Sequence, residues 1–440
     1  MEDEMLLLDG LGDLSLHLIA VKLGPKDTAV LACVNKRLRV SASEDTLWRS
    51  FCQLDLQLSH PTDPDANPTT SFKVAYQLWR EAFVMYPWPL VKRVKNCWDV
   101  LKNWLSANFP MARNTLCKGA SEEQINQLET KLAVKLPLST KILYRFCDGQ
   151  HLPNQDLVLD TDLGSPVGLI GGYCFYDHLV NVYLLPLSQV IVKTKEFVRH
   201  LGFSRRSKYI VVASSSTYIE KLFFLNCVSG QLYVGTSNLS TDGEMMPCVS
   251  VPAISQRDAM LLWLEEHGRR LETGIIQLRA EGGIPRINLF PEAAPLCSTA
   301  VTNGVKIRSS AVFVPELTNL QGESEKYWFS YSIRMSLLSE GCIANGTSAS
   351  SCQLYWRHWI IRAKDVVVSD VNGEAVIGQY PLLHPDREEF VYESCTPLPT
   401  CTGSIEGTFT FVPGRLTNPI GGPFSVEVTQ FPLQLPDYIY

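Results

Sequence analysis

The cysteines and histidines of this sequence are the residues best suited to nucleophilic or metal chemistry. Cys147, His151, Cys174 and His178 follow one another within a short stretch, but their spacing matches no zinc-binding pattern. The 13 cysteines are scattered, without a Cys-x-x-Cys pair, as is usual for small buried side chains in a reducing compartment. No Ser-His-Asp or Cys-His arrangement stands out. We therefore predict no catalytic residue, no metal and no cofactor.

Two neighbouring polar residues in the aromatic segment 355–361 are the next candidates. His358 lies between two tryptophans, but proton transfer would require a positioned partner that the sequence does not identify. We interpret it as a structural, hydrogen-bonded histidine. Arg357 falls on the opposite face of the same predicted strand and is a candidate ligand contact, although a guanidinium stacked on an aromatic ring explains it equally well.

Length and composition limit the class of protein that could carry these residues. A chain of 440 residues exceeds what one hydrophobic core supports, so two or three domains are expected. The formal net charge of -6 and the lack of a sustained Lys/Arg stripe argue against nucleic acid as a partner. An acidic N-terminus and the lack of a long apolar run argue against a secretory signal or a membrane span. We expect a soluble, intracellular protein of the nucleus and cytoplasm.

Residues 6–55 predict short helices with more apolar surface than so small a unit can bury. Breaks are expected at Gly24-Pro25, where proline can open a helix, and Ser43 is expected to cap a helix that carries Leu47 and Trp48. The polar run that starts at Asn35 is expected to close the preceding helix. The apolar surplus could face a binding partner or pack on the next domain, and the pattern alone favours neither.

The order of residues in this segment resembles the F-box. The similarity runs from Leu11-Gly12-Asp13-Leu14 to Leu47-Trp48-Arg49 and departs from the family at Gly12, where proline is usual, and at 35–38, where Cys-Lys-x-Trp is commoner. The resemblance implies docking on a Skp-family adaptor, and through it on cullin and RING subunits. The residues implied in docking are Leu11, Leu14, Ile19, Leu23, Leu31, Val34, Leu47 and Trp48.

The middle of the chain predicts a helical linker region and then a mixed α/β domain. In region 56–110, aromatic residues at helical spacing indicate a core rather than a ligand cage. Beyond it, Ser121 begins a capping box and Gly149 is expected to end a second helix. Helices broken by Leu136-Pro137 and strands expected at 167–170, 209–213, 221–225 and 231–234 resemble the SUKH (SMI/KNR-like) family. The resemblance implies a protein-binding domain over 111–275.

The last third predicts an all-β domain. Alternation of apolar and polar residues over 327–337 is typical of a half-buried strand, and similar patterns follow at 354–362, 390–393, 405–411 and 424–428. This part resembles the ApaG domain over 290–437, which implies a fibronectin/immunoglobulin-like sandwich. Bacterial members often carry a Gly-x-Gly-x-x-Gly loop proposed to hold pyrophosphate; segment 373–378 lacks one of its glycines.

The fold class that follows is multidomain α+β: a helical F-box, a mixed α/β SUKH-like domain and a C-terminal sandwich. These three occur together in plant F-box proteins of the Skp-interacting-partner type and, similarly, in animal F-box-only protein three. The resemblance implies a non-catalytic substrate receptor of an SCF-type ubiquitin ligase with a protein target. Two alternatives remain open: a scaffold independent of SCF, or binding of a phosphorylated small molecule by the ApaG domain.

Overall fold

A computed structural model gives the fold, and its described part falls into two compact units. The first unit runs up to 99 and adds 118–121 and 141–147, and the remaining residues form the second unit. No helix of the described residues is long and apolar enough to span a bilayer. The structure describes residues 10–151, 167–175, 178–200, 208–215, 220–236, 239, 244–250, 258–281, 284–320, 325–344 and 346–440.

The first unit is helical. Aromatic side chains fill part of its core, where Trp48 lies 5.5 Å from Tyr76, measured between ring centroids. Trp98 donates its indole N–H to the Leu143 carbonyl oxygen at 3.1 Å. These contacts confirm that the aromatic set of region 56–110 includes core residues. The helices are α1 Asp13–Leu31, α2 Lys36–Ser41, α3 Asp45–Leu56, α4 Phe72–Ala82 and α5 Trp88–Asn108, the last continuing into the second unit.

Two predictions about helix ends in this unit were wrong. Asn35 does not close the helix before it: α1 ends at Leu31, and the Asn35 side chain caps α2 by accepting from the Leu38 amide at 2.8 Å. An asparagine oxygen satisfies a free amide at a helix start in this way. Ser43 does not cap α3, because the residue before that helix is Glu44; the Ser43 hydroxyl instead accepts from Lys73 at 2.8 Å.

The middle residues of the chain form further helices and one mixed sheet. Its strand order is β6-β5-β4-β3-β2-β1-β8-β7, with β1 and β8 parallel and the other neighbours antiparallel. The helices are α6 Pro110–Asn114, α7 Glu122–Leu132, α8 Leu138–Phe146, α9 Leu187–His200 and α10 Ala259–Glu272. The strands are β1 Gly171–Phe175, β2 His178–Leu184, β3 Tyr209–Ser215, β4 Lys221–Asn226, β5 Leu232–Thr236, β6 Met246–Pro247, β7 Gln277–Glu281 and β8 Ile284–Asn288.

Predicted strands agree with this sheet at β3, β4 and β5 but not at 167–170. That stretch is buried yet lies before the sheet, because β1 begins only at Gly171, where φ is +87°. A Cβ at Gly171 would lie 2.3 Å from the Ile287 carbonyl oxygen. Glycine is therefore required where the chain enters the sheet beside β8.

The C-terminal part is a sandwich of two antiparallel sheets, which confirms the predicted fold class. One sheet has the order β17-β11-β10-β9; in the other, β15-β14-β18 continues into β20. Tyr331 of the first sheet meets Trp359 and Phe431 of the second at 6.2 and 6.3 Å between ring centroids. The strands are β9 Cys297–Thr302, β10 Val305–Phe313, β11 Tyr327–Leu337, β12 Cys342–Ala344, β13 Thr347–Ala349, β14 Cys352–Ala363, β15 Val366–Glu374, β16 Leu382–Leu383, β17 Phe390–Leu398, β18 Thr402–Arg415, β19 Asn418–Pro419 and β20 Phe424–Gln434, with a 3-10 turn at Pro315–Leu317.

Strand β11 has the predicted bounds but is buried on both faces rather than on one. Ser330, Ser332 and Arg334, which alternation placed on an exposed face, are all buried. The Ser330 hydroxyl donates to the Cys174 carbonyl oxygen of β1 at 2.7 Å. The polar face of β11 thus packs on other residues of the same unit. Alternation of apolar and polar residues does not show whether a polar strand face is packed on protein or exposed to solvent.

Candidate adaptor interface

A kink in α1 gives the N-terminal segment its shape. Gly24 adopts φ +79° and ψ 173°, which interrupts the helix before Pro25, and glycine takes this conformation without a steric penalty. The buried hydroxyl of Thr28 donates to the Ala20 carbonyl oxygen at 2.9 Å. The bond joins the two halves of the helix across the break. The predicted break at Gly24-Pro25 is confirmed.

Three leucines form a small core inside this segment. Leu16, Leu31 and Leu38 are buried together, and the partly buried Leu11 packs against them. The Arg37 guanidinium donates to the Leu11 carbonyl oxygen at 2.6 Å and so links the start of α2 to the residues before α1. This core is small, and several large apolar residues of α1 and of the turn after it lie outside it.

Several large apolar side chains of this segment are exposed to solvent. Leu14 is 74% exposed and Val34 65%. Leu14 and Leu18 are four residues apart in α1 and so share one helix face. Exposed apolar side chains that share a face are candidates for binding a partner. We call the exposed large apolar side chains of α1 and the turn after it the N-terminal apolar surface; its members are Leu14, Leu18, Leu23, Val30 and Val34.

The predicted docking residues therefore occupy different environments. Leu14, Leu23 and Val34 belong to the N-terminal apolar surface, whereas Leu11 and Ile19 are partly buried. The rest, Leu31, Leu47 and Trp48, are buried. The sequence prediction omitted Leu18 and Val30; the four-residue spacing from Leu14 was the available signal for Leu18.

Leu47 and Trp48 hold α3 in place. The Trp48 indole N–H donates to the Ala42 carbonyl oxygen at 2.8 Å, and its ring meets Phe51 edge-on at 5.5 Å. The Asp45 carboxylate accepts from the Phe72 amide at 2.7 Å, which ties the start of α3 to the start of α4. Buried aromatic pairs of this kind add to the free energy of burial. Leu47 and Trp48 are thus buried core residues of α3.

Asp55 connects α3, α4 and α5. Its carboxylate accepts from the Tyr76 hydroxyl at 2.7 Å and from the Lys92 ammonium at 2.8 Å. Burial would raise the pKa of Asp55, but the hydrogen bonds from Lys92 and Tyr76 outweigh it, so the pKa lies below its ordinary value. Hydrogen bonds to the charged form have this effect. The carboxylate stays ionised and fixes α3 relative to α4 and α5.

The C-terminal candidates have structural partners. His358 lies 2.8 Å from an Asp370 carboxylate oxygen on the adjacent strand, as expected for a hydrogen-bonded structural histidine. Arg357 donates to the main-chain oxygens of Glu374 and Ala375 at 2.9 and 2.5 Å. The guanidinium thus braces the loop that resembles the glycine-rich motif. A role in ligand contact stays a prediction.

That loop has an irregular backbone of its own. Ala375 and Ile377 have φ of +60° and +43°, and Gly378 has +73°. Positive φ is rare for a β-branched residue, so the loop holds its shape through contacts such as those of Arg357. The Glu374 side chain accepts from the Tyr380 hydroxyl at 2.8 Å.

Within the described residues, no group of three or more His, Cys, Asp or Glu is arranged to hold a metal ion.

Comparison with known proteins identifies the family. The model of the ApaG domain matches residues 318–413, inside the predicted 290–437. F-box protein SKIP16 of Arabidopsis thaliana is 56% identical over 443 residues, covering 98% of this chain and 100% of the relative. The chain belongs to the F-box protein family. This F-box protein is also 26% identical to human F-box only protein 3, over 93% of its own length and 80% of the relative's.

A bacterial relative matches the C-terminal part alone. Protein ApaG of Bordetella pertussis is 35% identical over 28% of this chain and 82% of the relative.

These comparisons confirm the predicted relationship to plant F-box proteins and to animal F-box-only protein three, and the presence of the ApaG domain. The SUKH resemblance of 111–275, the predicted domain bounds and the docking residues stay predictions.

Proposed function

We propose that this F-box protein is the substrate-recognition subunit of an SCF-type ubiquitin ligase. Its N-terminal apolar surface docks on a Skp-family adaptor, which links it to cullin and RING subunits. The chain itself is non-catalytic, and ubiquitin transfer is carried out by the other subunits of the complex. Its place of action is the nucleus and cytoplasm.

The exposure of the N-terminal apolar surface is the observation that carries the proposal. Leu14, Leu18 and Val34 would each bury a large apolar side chain on docking, worth about 1.5–3 kcal/mol when complete. Such anchors dominate interface energies, while neighbouring polar residues contribute little. The surface lies in the segment that resembles the F-box, whose own core of Leu16, Leu31 and Leu38 is already filled. Docking can therefore use the surface without unfolding the segment.

The second unit would recruit the target. It carries the ApaG domain and the middle sheet with its helices, and the SUKH resemblance implies that the middle part binds proteins. The Ser330–Cys174 hydrogen bond and the buried polar face of β11 join these two parts. A target would meet them as one body.

Co-purification with a Skp-family adaptor tests the proposal. The test variant carries Leu14→Ala and Leu18→Ala, two exposed positions whose truncation leaves the small core intact. The matched control carries Val84→Ala and Met85→Ala, which are at least as exposed and lie in the same unit but outside the F-box segment. We expect the control to retain the adaptor and the test variant to lose it, with both folded by circular dichroism.

Failure of the wild-type chain to bind any adaptor would overturn the proposal. In that case the departures at Gly12 and at residues 35–38 from the usual F-box have removed the interface, and the SCF-independent scaffold takes its place. Equal loss of the adaptor in the test and control variants would instead assign the effect to general surface hydrophobicity, and would also contradict the proposed docking site.

A further inference from the structure

Residues 436–440 form an extended segment that pairs with the middle part of the second unit. Beyond the end of β20 at Gln434, the Ile439 amide donates to the Cys248 carbonyl oxygen at 2.9 Å, and the Ser250 amide donates to the Asp437 carbonyl oxygen at 2.9 Å. Val249 and Tyr438 form an antiparallel bridge between these bonds. The segment thus pairs through its main chain, as an added strand does.

An aromatic anchor gives this pairing its specificity. The Tyr440 ring stacks on Trp263 at 5.3 Å between centroids with 21° between the planes, and its hydroxyl donates to the Trp263 carbonyl oxygen at 2.9 Å. In return the Trp263 indole N–H donates to the Ile439 carbonyl oxygen at 2.7 Å. The Arg270 guanidinium lies over the Tyr440 ring at 5.0 Å. Tyr440 and Ile439 are both buried.

A buried cation lies at the end of the segment. The Lys221 ammonium, fully buried on β4, donates to the main-chain oxygen of Tyr440 and, at 2.8 Å, to the Tyr173 hydroxyl. The Tyr173 hydroxyl in turn donates to the Glu316 carboxylate at 2.7 Å. We call the surface that holds residues 436–440 the groove; it is formed by residues 248–250, Trp263 and Lys221. The groove combines three elements of peptide recognition: main-chain groups for pairing, an aromatic pocket and a buried hydrogen-bond donor.

The segment does not fill the space beside it. A cavity adjoins the segment, and residues of the segment form one of its walls. The remaining walls are mainly apolar, with Arg270 as a charged member, and include Leu289, Pro291, Leu296 and Phe313. Apolar walls with a few polar groups are typical of ligand-binding clefts.

We propose that this groove is a peptide-binding site for extended segments with the order aromatic, aliphatic, aromatic, and that residues 436–440 occupy it as a built-in competitor. The inference rests on the proposed receptor function, because a target carrying such a segment would be recruited by displacing the chain's own. Main-chain pairing supplies affinity, and the pocket at Trp263 selects the aromatic side chain. The tethered segment competes at an effective concentration that reaches the millimolar range for short linkers.

Exchange of the segment in trans tests the proposal. A specific protease site is inserted between Leu435 and Pro436, so that the full chain folds with the groove occupied and is cut afterwards. Binding of the fluorescent peptide Pro-Asp-Tyr-Ile-Tyr, the sequence of 436–440, is followed by anisotropy before and after cutting. We expect binding only after cutting. The same peptide with Tyr440→Ala should bind about 30-fold more weakly or worse, as for loss of a hot-spot side chain.

Two results would overturn the inference: no exchange at millimolar peptide in cut protein that stays folded by circular dichroism, or equal binding of the alanine peptide. If cutting unfolds the second unit, excess peptide must restore its thermal transition, and failure to do so counts against the groove. Adaptor co-purification is measured on the same samples. Adaptor loss with peptide exchange retained would contradict the proposed function alone, and the reverse would contradict only the groove.

Discussion

Removing the buried charge of Lys221 should be among the most damaging single changes to the second unit. Its side chain and that of Glu316 are both fully buried, with their charged atoms 3.7 Å apart. Burial lowers the pKa of Lys221, while the negative charge of Glu316 acts in the opposite direction. The Lys221→Met variant keeps the chain length but leaves the Glu316 carboxylate without its cation.

The expected cost follows from the uncompensated charge. Breaking a buried ion pair by removing one partner costs about 3–5 kcal/mol. Because Tyr173 still donates to the carboxylate, we expect a value near the lower end, about 3 kcal/mol. The double variant Lys221→Met/Glu316→Gln removes both charges and should recover at least about 1 kcal/mol, since contacting residues couple by about 0.5–3 kcal/mol.

Urea denaturation followed by tryptophan fluorescence measures both effects. The control is Lys208→Met, which replaces a lysine whose ammonium donates to the Ala133 carbonyl oxygen in an exposed hydrogen bond. A loss below about 1 kcal/mol in the Lys221 variant would mean that the charge of Glu316 needs no buried cation, in conflict with typical costs of buried charge. The single variant Glu316→Gln completes the comparison. If the double variant lost as much unfolding free energy as Lys221→Met and Glu316→Gln lose together, the coupling would be refuted.

Three further changes have signs fixed by the structure. Burial lowers the pKa of His267 to about 4, so as the pH falls from about 6.5 this imidazole becomes protonated in the unfolded chain before it does in the folded one. The free energy of unfolding should therefore drop by about 3 kcal/mol by pH 4. In His267→Gln, urea midpoints measured over this pH range should change less. Asp55→Asn removes the ion pair with Lys92, and we expect a loss of about 1–2 kcal/mol, seen as a lower thermal midpoint with Asp65→Asn unchanged as the control. Arg357→Ala frees two main-chain oxygens and should speed proteolysis within 373–378; unchanged cleavage there would contradict the bracing role.

Local patterns predicted the C-terminal sandwich well because its strands alternate strongly. The bounds of β11 agree at both ends, and predicted strands fall within β14, β17, β18 and β20. Strand β15 escaped prediction: Val366, Val367 and Val368 are all exposed, and three adjacent valines give no period of two. In the middle part, β2 and α9 were not predicted. A strand was predicted at 167–170, although β1 begins only at Gly171.

Features of the candidate site that depend on nearby residues could be predicted from the sequence, and those that depend on residues distant in the chain could not. The order of residues indicated an F-box segment, and the break at Gly24-Pro25 could be predicted from the residues themselves. Which apolar side chains remain outside could not be predicted, because burial of Leu47 and Trp48 depends on α4, more than twenty residues away. The role of 436–440 was invisible for the same reason: its partners Trp263 and Lys221 lie far back in the chain.

The affinity of the full chain for a purified Skp-family adaptor is the most direct test of the receptor function. Titration calorimetry should give a saturable one-to-one complex for the wild type. For Leu14→Ala/Leu18→Ala we expect weakening of about 30-fold or more, as for loss of hot-spot anchors, with the Val84→Ala/Met85→Ala control close to wild type. Absence of binding by the folded wild-type chain, or equal affinity of all three proteins, would contradict the assignment of this surface to the adaptor.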